Sequence, residues 1–270
     1  MKQFKKMLMA GLLTMAMAVS VFGTAAPVSA ASLNAKQYLT KMDQATQKAK
    51  SYEATQTVTV KQTAQGQSIT TKTSTKQIAF QNPLKGKIVT TVKVTGDGVD
   101  QSSKTVAYLK EDSKGKVTEY VSTDGSDYQE IDLSDISDAG VGSNIELFSG
   151  AKIVKKSVKV NNVDTVQISA SVQGSALMET LEQLGISGDM ITQLGVDTKT
   201  LKPIKVTIWI NKKNYQPVKM TMDMKDFCNS IYSSMYEAMG AELDANCSLA
   251  KSVITYSKFN KAAKFSFPKF

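Results

Sequence analysis

The sequence predicts an α+β fold in which a large antiparallel β-sheet is covered on one face by a few helices. Three observations lead to this prediction. Apolar residues alternate with polar ones over many segments, polar turns separate those segments, and amphipathic stretches of helical spacing flank them. Because alternation at period two places one set of side chains on each face of a strand, we expect one apolar and one polar face.

The clearest strand pair is the segment 203–226. Apolar residues occupy every second position in each half of it, namely Ile204, Val206, Ile208 and Ile210, then Val218, Met220, Met222 and Met224. The connection at 211–217 is rich in turn residues, and Pro217 is tolerated at the first position of a strand. This segment is therefore predicted to be a β-hairpin with one apolar face.

A meander of strands is predicted from residue 52 to about residue 128. Turn signals recur near residues 65, 83, 97, 114 and 125, and alternation resumes after each one. Ile88, Val92 and Val94, for example, lie on one side of a predicted strand. Further strands are predicted at 151–160, 165–172 and 248–260, and a short final strand at 262–267.

Helices are predicted at 35–50, 175–184, 187–194 and 227–239, with one or two short helices within 132–148. Ser32 or Asn34 is a suitable N-cap for the first helix. Its apolar face favours packing on the sheet, and a helix lying on a membrane surface is the alternative. The other helices carry more apolar residues than a solvent-exposed loop needs, so we expect them to cover one face of the sheet.

The N-terminus has the pattern of an export signal. Lys2, Lys5 and Lys6 precede an apolar run at 7–22, and the small-residue pattern before residue 31 predicts cleavage after Ala30. An earlier cut near residue 26 and an uncleaved anchor are the alternatives. No cysteine near the cut offers a site for acylation. We therefore expect residues 31–270 to form a single secreted domain in the cell envelope, as a monomer.

Lysine supplies all of the basic residues of the chain. The sequence contains 33 Lys+Arg against 24 Asp+Glu, and its net charge of +9 falls to +6 without the three signal lysines. Such an excess indicates either a solvated basic surface or attraction to anionic envelope polymers or to a membrane surface.

Two missing residue types restrict the function. The chain has no histidine, which is the commonest general base and a common metal ligand. It has no arginine, which is the residue best suited to bidentate contacts with phosphate or guanine. With one tryptophan and no glycine-rich phosphate loop, neither nucleic-acid binding nor a cofactor is predicted.

Cys228 and Cys247 are the two cysteines of the chain. In an exported protein a disulfide between them is the expected state, and it would stabilise the fold by about 3 kcal/mol in the chain-entropy model. Two free buried thiols are the alternative. A metal site is not predicted, because no histidine is present to complete it.

The chain resembles the LolA/LppX-like superfamily of exported bacterial proteins, and within it a Gram-positive branch of secreted proteins. The resemblance lies in the helix before Tyr52, in the hairpin at 210–224 and in the tail at 256–268. It implies a strongly curved antiparallel sheet, an open half-barrel, with helices across its concave face. It also implies that the space between sheet and helices takes lipid, and it brings no catalytic motif.

The predicted function is non-enzymatic binding of a lipid or another hydrophobic ligand, by a carrier or a sensor. Methionine gives an adaptable apolar lining, although an ordinary core is the simpler interpretation of any single one. The candidate ligand-binding residues are Val206, Ile208, Met220, Met222, Met224, Leu181, Ile231, Met235 and Met239. The alternative is a cell-surface structural or interaction module that has no ligand cavity.

Clustered aspartates are the one sequence feature that suggests an enzyme. They are Asp132, Asp135 and Asp138 in one group and Asp223 with Asp226 in another. Paired carboxylates run glycoside hydrolysis, but helix capping and solvation explain carboxylates at strand ends and helix starts. No catalytic residue is therefore assigned.

Overall fold

The computed structural model describes residues 33–64, 66–132, 147–177, 196–238, 240 and 244–269. The export signal, the interruption at 133–146 and most of the two helices predicted between 175 and 194 lie outside the described residues. In chain order the described elements are α1 (Ala35–Gln47), β1 (Ser51–Ala64), β2 (Gln67–Gln81), β3 (Leu84–Gly96), β4 (Val99–Glu111), β5 (Val117–Thr123), β6 (Gln129–Asp132), β7 (Phe148–Val160), β8 (Val163–Val172), β9 (Ile204–Asn211), β10 (Pro217–Asp223), α2 (Lys225–Ala238) and β11 (Ala245–Ser257).

All eleven of these strands form a single antiparallel sheet. Their order is β6-β5-β4-β3-β2-β1-β11-β10-β9-β8-β7, so β6 and β7 are edges and the sheet stays open. The last strand, β11, lies between β1 and β10 and joins two meanders. The first meander consists of β1 to β6 and the second of β7 to β10. The predicted α+β class, with a large open antiparallel sheet of the half-barrel type, is confirmed.

Helices α1 and α2 pack against one face of the sheet, which we call the inner face, and the opposite side is the outer face. An inner-face row runs through Ile168 on β8, Ile208 on β9, Met220 on β10 and Ile254 on β11. These four side chains are at most 8% exposed and belong to one core cluster with residues of both helices. The predicted hairpin at 203–226 is therefore the centre of the core.

Helix α1 begins at a capping box. Asn34 Oδ1 accepts a hydrogen bond from Gln37 N at 2.9 Å, and Gln37 Oε1 accepts one from Asn34 N at 2.8 Å. Leu39 and Met42 point into the core at 1% and 2% exposure. Asn34 is thus the N-cap, one of the two residues that the sequence suggested. No helix of the described part is long and apolar enough to cross a membrane.

Residues 258–269, which we call the C-terminal strap, do not form the final strand predicted at 262–267. Ala263 N donates to Glu53 Oε1 at 2.9 Å, and Phe265 and Phe267 pack on Tyr108 with centroid distances of 6.0 and 5.8 Å. The alternating aromatic residues imitate a strand pattern. Their backbone, however, pairs with no strand of the described sheet. The strap is held by these side-chain contacts and by a backbone hydrogen bond of 2.7 Å from Asn260 N to Ser51 O.

Candidate functional site

Four of the candidate ligand-binding residues lie in the core. Val206, Ile208, Met220 and Met224 are exposed by 1%, 0%, 5% and 1%, so protein atoms already surround them. Their packing contributes to stability whether or not a ligand binds. Any ligand contact from these positions would require neighbouring side chains to move.

The remaining described candidates are partly exposed. Met222, Ile231 and Met235 are partly buried, and the first two pack against the edge of the core cluster. Met222 faces inward from β10, opposite Val206 on β9 and Ser252 on β11. Leu181 and Met239 lie outside the described residues.

The inner face continues beyond the core onto the first meander. Apolar side chains there are only partly buried, in contrast to the core strands, and they are Ile88, Val92 and Val94 on β3, Leu109 on β4 and Val121 on β5. Alternation identified their strands but gave no reason to include them in the site. Their importance comes from strand order, which places them on the same face as the core.

Between these two apolar regions, the inner face carries uncharged polar side chains. Gln56 on β1 donates from Nε2 to Ser252 Oγ on β11 at 3.1 Å, and both residues are buried. Thr75 on β2 and Thr90 on β3 share a hydroxyl–hydroxyl hydrogen bond of 3.1 Å. Burying a hydroxyl costs free energy unless the hydroxyl is hydrogen-bonded, and these hydrogen bonds offset that cost in the polar region.

Thr73 on β2 differs from its polar neighbours. It is 2% exposed, and its hydroxyl has no hydrogen-bond partner among the residues that the structure describes. It lies opposite Val58 on β1 and Val92 on β3, neither of which has a polar side-chain atom. A buried hydroxyl of this kind is a free donor and acceptor in otherwise apolar surroundings.

Glu119 on β5 is a titratable residue of the inner face, close to the edge strand β6. It faces inward opposite Leu109 on β4 and Ile131 on β6. Burial raises the pKa of the Glu119 carboxyl, because the charged form is poorly solvated there. The environment at this end of the inner face therefore favours neutral groups.

The two cysteines require a correction to the sequence prediction. Cys228 on α2 and Cys247 on β11 are free buried thiols in the structure, not a disulfide. The thiols are hydrogen-bonded to each other, and Cys247 Sγ also lies 3.3 Å from Leu249 O. That hydrogen bond and burial raise the pKa of Cys228, whereas the Cys228 thiol lowers the pKa of Cys247. The sequence led us to expect the two cysteines close together, but it did not determine whether they form a disulfide or remain thiols.

Asn229 holds the same helix to the same strand. Its Nδ2 donates to Cys247 O at 3.1 Å, and its Oδ1 accepts from Cys247 N at 2.7 Å. One amide side chain thus satisfies both backbone groups of a buried strand residue. The helix is fixed over the inner face by this clamp and by the apolar residues of α2.

A cavity of about 550 Å³, lined mostly by residues with polar side chains, lies between α2 and the segment before β9. Ser230 and Ser234 line it, and their hydroxyls accept hydrogen bonds from Lys202 N at 3.0 Å and Asp197 N at 2.6 Å. The described part of the chain contains no cluster of three or more residues suited to hold a metal. None of the candidate ligand-binding residues that the structure describes lines this cavity.

The aspartates that suggested an enzyme have structural contacts where they are described. Asp223 Oδ1 accepts from Lys225 N at 3.2 Å at the start of α2, and Asp226 pairs with Lys205 at 3.5 Å. Asp132 ends β6, while Asp135 and Asp138 lie outside the described residues. Capping and an ion pair account for the second cluster, where the simpler interpretation expected capping and solvation.

No family model matches the chain, and no curated protein does. Among solved structures, a DUF1329 family protein from Desulfovibrio piger is 10% identical, with 86% of this chain and 93% of that chain covered and a TM-score of 0.26. A LolA superfamily protein from Nitrosomonas europaea is 12% identical, with 88% and 96% covered and a TM-score of 0.24. The second match is from the superfamily that the sequence resembles. Likenesses of this size transfer no fold, ligand or activity to this chain, and the Gram-positive branch stays a prediction.

Proposed function

We propose that the protein is a non-enzymatic, extracytoplasmic binding protein for a lipid or a similar amphiphile, held against the inner face beside Thr73. One observation carries the proposal. The inner face continues past the packed core as partly exposed aliphatic side chains, and these lie next to a buried hydroxyl that has no partner among the described residues. Burying an acyl chain on such a surface contributes roughly 0.8 kcal/mol per CH₂ group.

The orphan hydroxyl favours an amphiphile over a pure hydrocarbon. A buried polar group without a partner costs about 1–3 kcal/mol. Thr73 is 2% exposed, so neighbouring side chains would have to move to admit a ligand ester, amide or hydroxyl, which would then remove that cost. The neighbouring hydroxyls of Thr75 and Thr90 are already paired with each other. Thr73 is therefore the residue that would gain most from a polar ligand atom.

The cellular setting of the proposal comes from the sequence. The basic n-region, the apolar run and the small residues before position 31 favour export, and the mature domain would meet its ligand in the cell envelope. Binding alone needs no nucleophile, metal or cofactor. The proposed role is that of a carrier or a sensor, acting as a monomer.

Native mass spectrometry is the direct test, on mature protein secreted by a bacterial host and never exposed to detergent. We expect adducts that are released as lipid on denaturation. Val92→Asn should then reduce binding of a fluorescent fatty acid several-fold, because it places an amide in the apolar inner face. Val89→Asn is the matched control, since Val89 lies on the outer face of the same strand, opposite Lys76 and Val106.

A clean apo mass without uptake from lipid vesicles would overturn this proposal. So would an equal loss of fatty-acid binding in the Val92 and Val89 variants. Either result would favour the alternative, a cell-surface interaction module whose working surface is the outer face. Met222 and the partly exposed valines would then be ordinary core-edge residues.

A further inference from the structure

Lysines dominate the outer face of the first meander. Seven of them project from three adjacent strands, and they are Lys72 and Lys76 on β2, Lys85, Lys87 and Lys93 on β3, and Lys104 and Lys110 on β4. All of these except Lys87 are exposed. We call this set the lysine rows.

Register places two pairs of like charges directly opposite each other. Lys72 on β2 faces Lys93 on β3, and Lys85 on β3 faces Lys110 on β4. The Cβ atoms of such pairs are on the order of 5 Å apart, and like charges in this position are destabilising. An anion lying between the two ammonium groups would convert that repulsion into attraction.

Few acids neutralise these lysines. Lys93 pairs with Asp100 at 3.2 Å, and both side chains are more than half exposed. Within the described part of the chain, Lys72, Lys76, Lys85 and Lys104 have no ion pair. Their positive charge is therefore available to a partner.

The C-terminal strap adds charge to the same side of the sheet. Residues 258–269 contain four lysines and no acid, and Lys264 and Lys269 are exposed. Phe265 and Phe267 point toward the sheet and pack on Tyr108, while Lys110 Nζ lies 5.9 Å from the Phe267 ring centroid. The aromatic side chains of the strap are thus held against the outer face of the sheet.

The dimensions of the lysine rows match an extended partner. Lys85 and Lys93 are eight residues apart on β3, a separation of about 27 Å along a strand. A small anion occupies one pair, whereas a linear polyanion reaches both. The aromatic rings here are buried or partly buried and pack against one another, an arrangement that differs from the exposed stacking platform that nucleic-acid bases need.

A bilayer is a poorer fit than a soluble polymer. Peripheral membrane binding gains strength from exposed apolar side chains that insert among the lipids. The large hydrophobic residues that are exposed in the described part are Ile131 and Val154, and they lie on the edge strands β6 and β7. The lysine rows therefore offer charge without an inserting group.

We infer that the outer face of β2, β3 and β4, together with the strap, is a binding surface for a linear anionic polymer of the cell envelope. This inference does not depend on the proposed lipid site, which lies on the other side of the sheet. It assigns a role on one surface to the excess of basic over acidic residues in the chain. Its energetic basis is the release of counterions and the relief of two repulsive lysine pairs.

The test is binding of fluorescently labelled linear polyphosphate by the mature protein across a series of salt concentrations. The outer-face variant is Lys72→Gln, Lys85→Gln, Lys93→Gln and Lys110→Gln combined. The control combines Lys152→Gln, Lys155→Gln, Lys156→Gln and Lys159→Gln on β7, which are exposed lysines and change the net charge equally. We expect affinity to fall at least tenfold in the first variant, with a weaker salt dependence, and less than threefold in the second.

Four outcomes would overturn the inference. They are no binding by the wild type, an equal loss in both variants, displacement of the polymer by an equal concentration of inorganic phosphate, and preferential binding to anionic phospholipid vesicles. Thermal unfolding checks the fold of the variants. Because it removes like-charge pairs, the outer-face variant should unfold at the same or a higher temperature at low salt. Fatty-acid binding should be unaffected.

Discussion

Gln56 and Ser252 form a hydrogen bond across the line where the two meanders meet, with Gln56 Nε2 3.1 Å from Ser252 Oγ. Gln56 is on β1 and Ser252 is on β11, so the bond joins parts of the chain that are 196 residues apart. Both residues are buried on the inner face. The first and last strands are therefore joined by a polar contact that lies between two apolar regions of the inner face.

Ser252→Ala should destabilise the fold by about 1–2 kcal/mol, because it leaves a buried amide donor of Gln56 without this partner. The measurement is the free energy of unfolding in urea. Thr55→Ala is the control, since Thr55 is exposed on the outer face of β1, and its effect should stay within about 0.5 kcal/mol. Equal effects of the two substitutions would mean that the hydrogen bond contributes nothing.

Thr73→Val and Thr75→Val should have opposite effects on the same strand. The first removes a buried hydroxyl that has no partner in the described part of the chain, and we expect a gain of about 1 kcal/mol in the ligand-free protein. The second breaks the hydrogen bond to Thr90, and we expect a loss of similar size. Urea unfolding of delipidated protein measures both.

The same pair tests the proposed ligand geometry. Thr73→Val should weaken binding of a monoacylglycerol more than binding of an alkane of equal chain length. If Thr73→Val destabilises the delipidated protein as much as Thr75→Val does, the Thr73 hydroxyl has a partner in solution. Its proposed role toward a ligand would then be wrong.

The attachment of the strap should depend on pH through Glu53. The hydrogen bond from Ala263 N and the Lys258 ammonium hold the pKa of Glu53 below its usual range. Because the folded pKa is lower than the unfolded value of about 4.3, this stabilisation is fully present above that value. It is lost as the pH falls through the folded pKa.

Glu53→Gln should therefore lower the melting temperature at pH 7, and the difference from the wild type should shrink below about pH 4. Thermal unfolding at pH 7 and at pH 3 is the measurement. Glu130→Gln on the exposed edge strand β6 is the control, for which we expect no difference at either pH. A difference for Glu53→Gln that is as large at pH 3 as at pH 7 would contradict the assignment.

Asn229→Ala should loosen α2 from the sheet. It removes two hydrogen bonds to the backbone of Cys247, so we expect a loss of about 2 kcal/mol in urea unfolding. The thiols of Cys228 and Cys247, buried in the native protein, should also react faster with a thiol reagent. Asn246→Ala, at an exposed neighbour, should change neither quantity. Unchanged thiol reactivity in Asn229→Ala would show that the clamp does not control access.

Local features of this fold were predictable from the sequence because they depend on neighbours along the chain. The hairpin at 203–226 follows from alternation that continues over two strands, and Asn34 follows from the chemistry of a capping side chain. The strap was predicted wrongly because its alternating phenylalanines look like a strand. Whether a segment joins a sheet depends on a free edge being beside it.

The candidate site was predictable only in part. The sequence identified Met220, Met222 and Met224 as one apolar face. It could not show that Met220 and Met224 are buried in the core whereas Met222 remains partly exposed. It likewise brought Cys228 and Cys247 together without deciding between a disulfide and two thiols. Burial and bonding depend on what packs against a residue from elsewhere in the chain.

The sequence by itself determined the strands, their turns, the two-faced character of the sheet and the basic excess of the chain. The tertiary structure decided which strands are neighbours. Insertion of β11 between β1 and β10 places Ser252 beside Gln56, and the register of β2 on β3 leaves Thr73 among valines and Lys72 against Lys93. The reason is physical: periodicity is a local property, whereas strand order and register depend on packing between residues far apart in the chain.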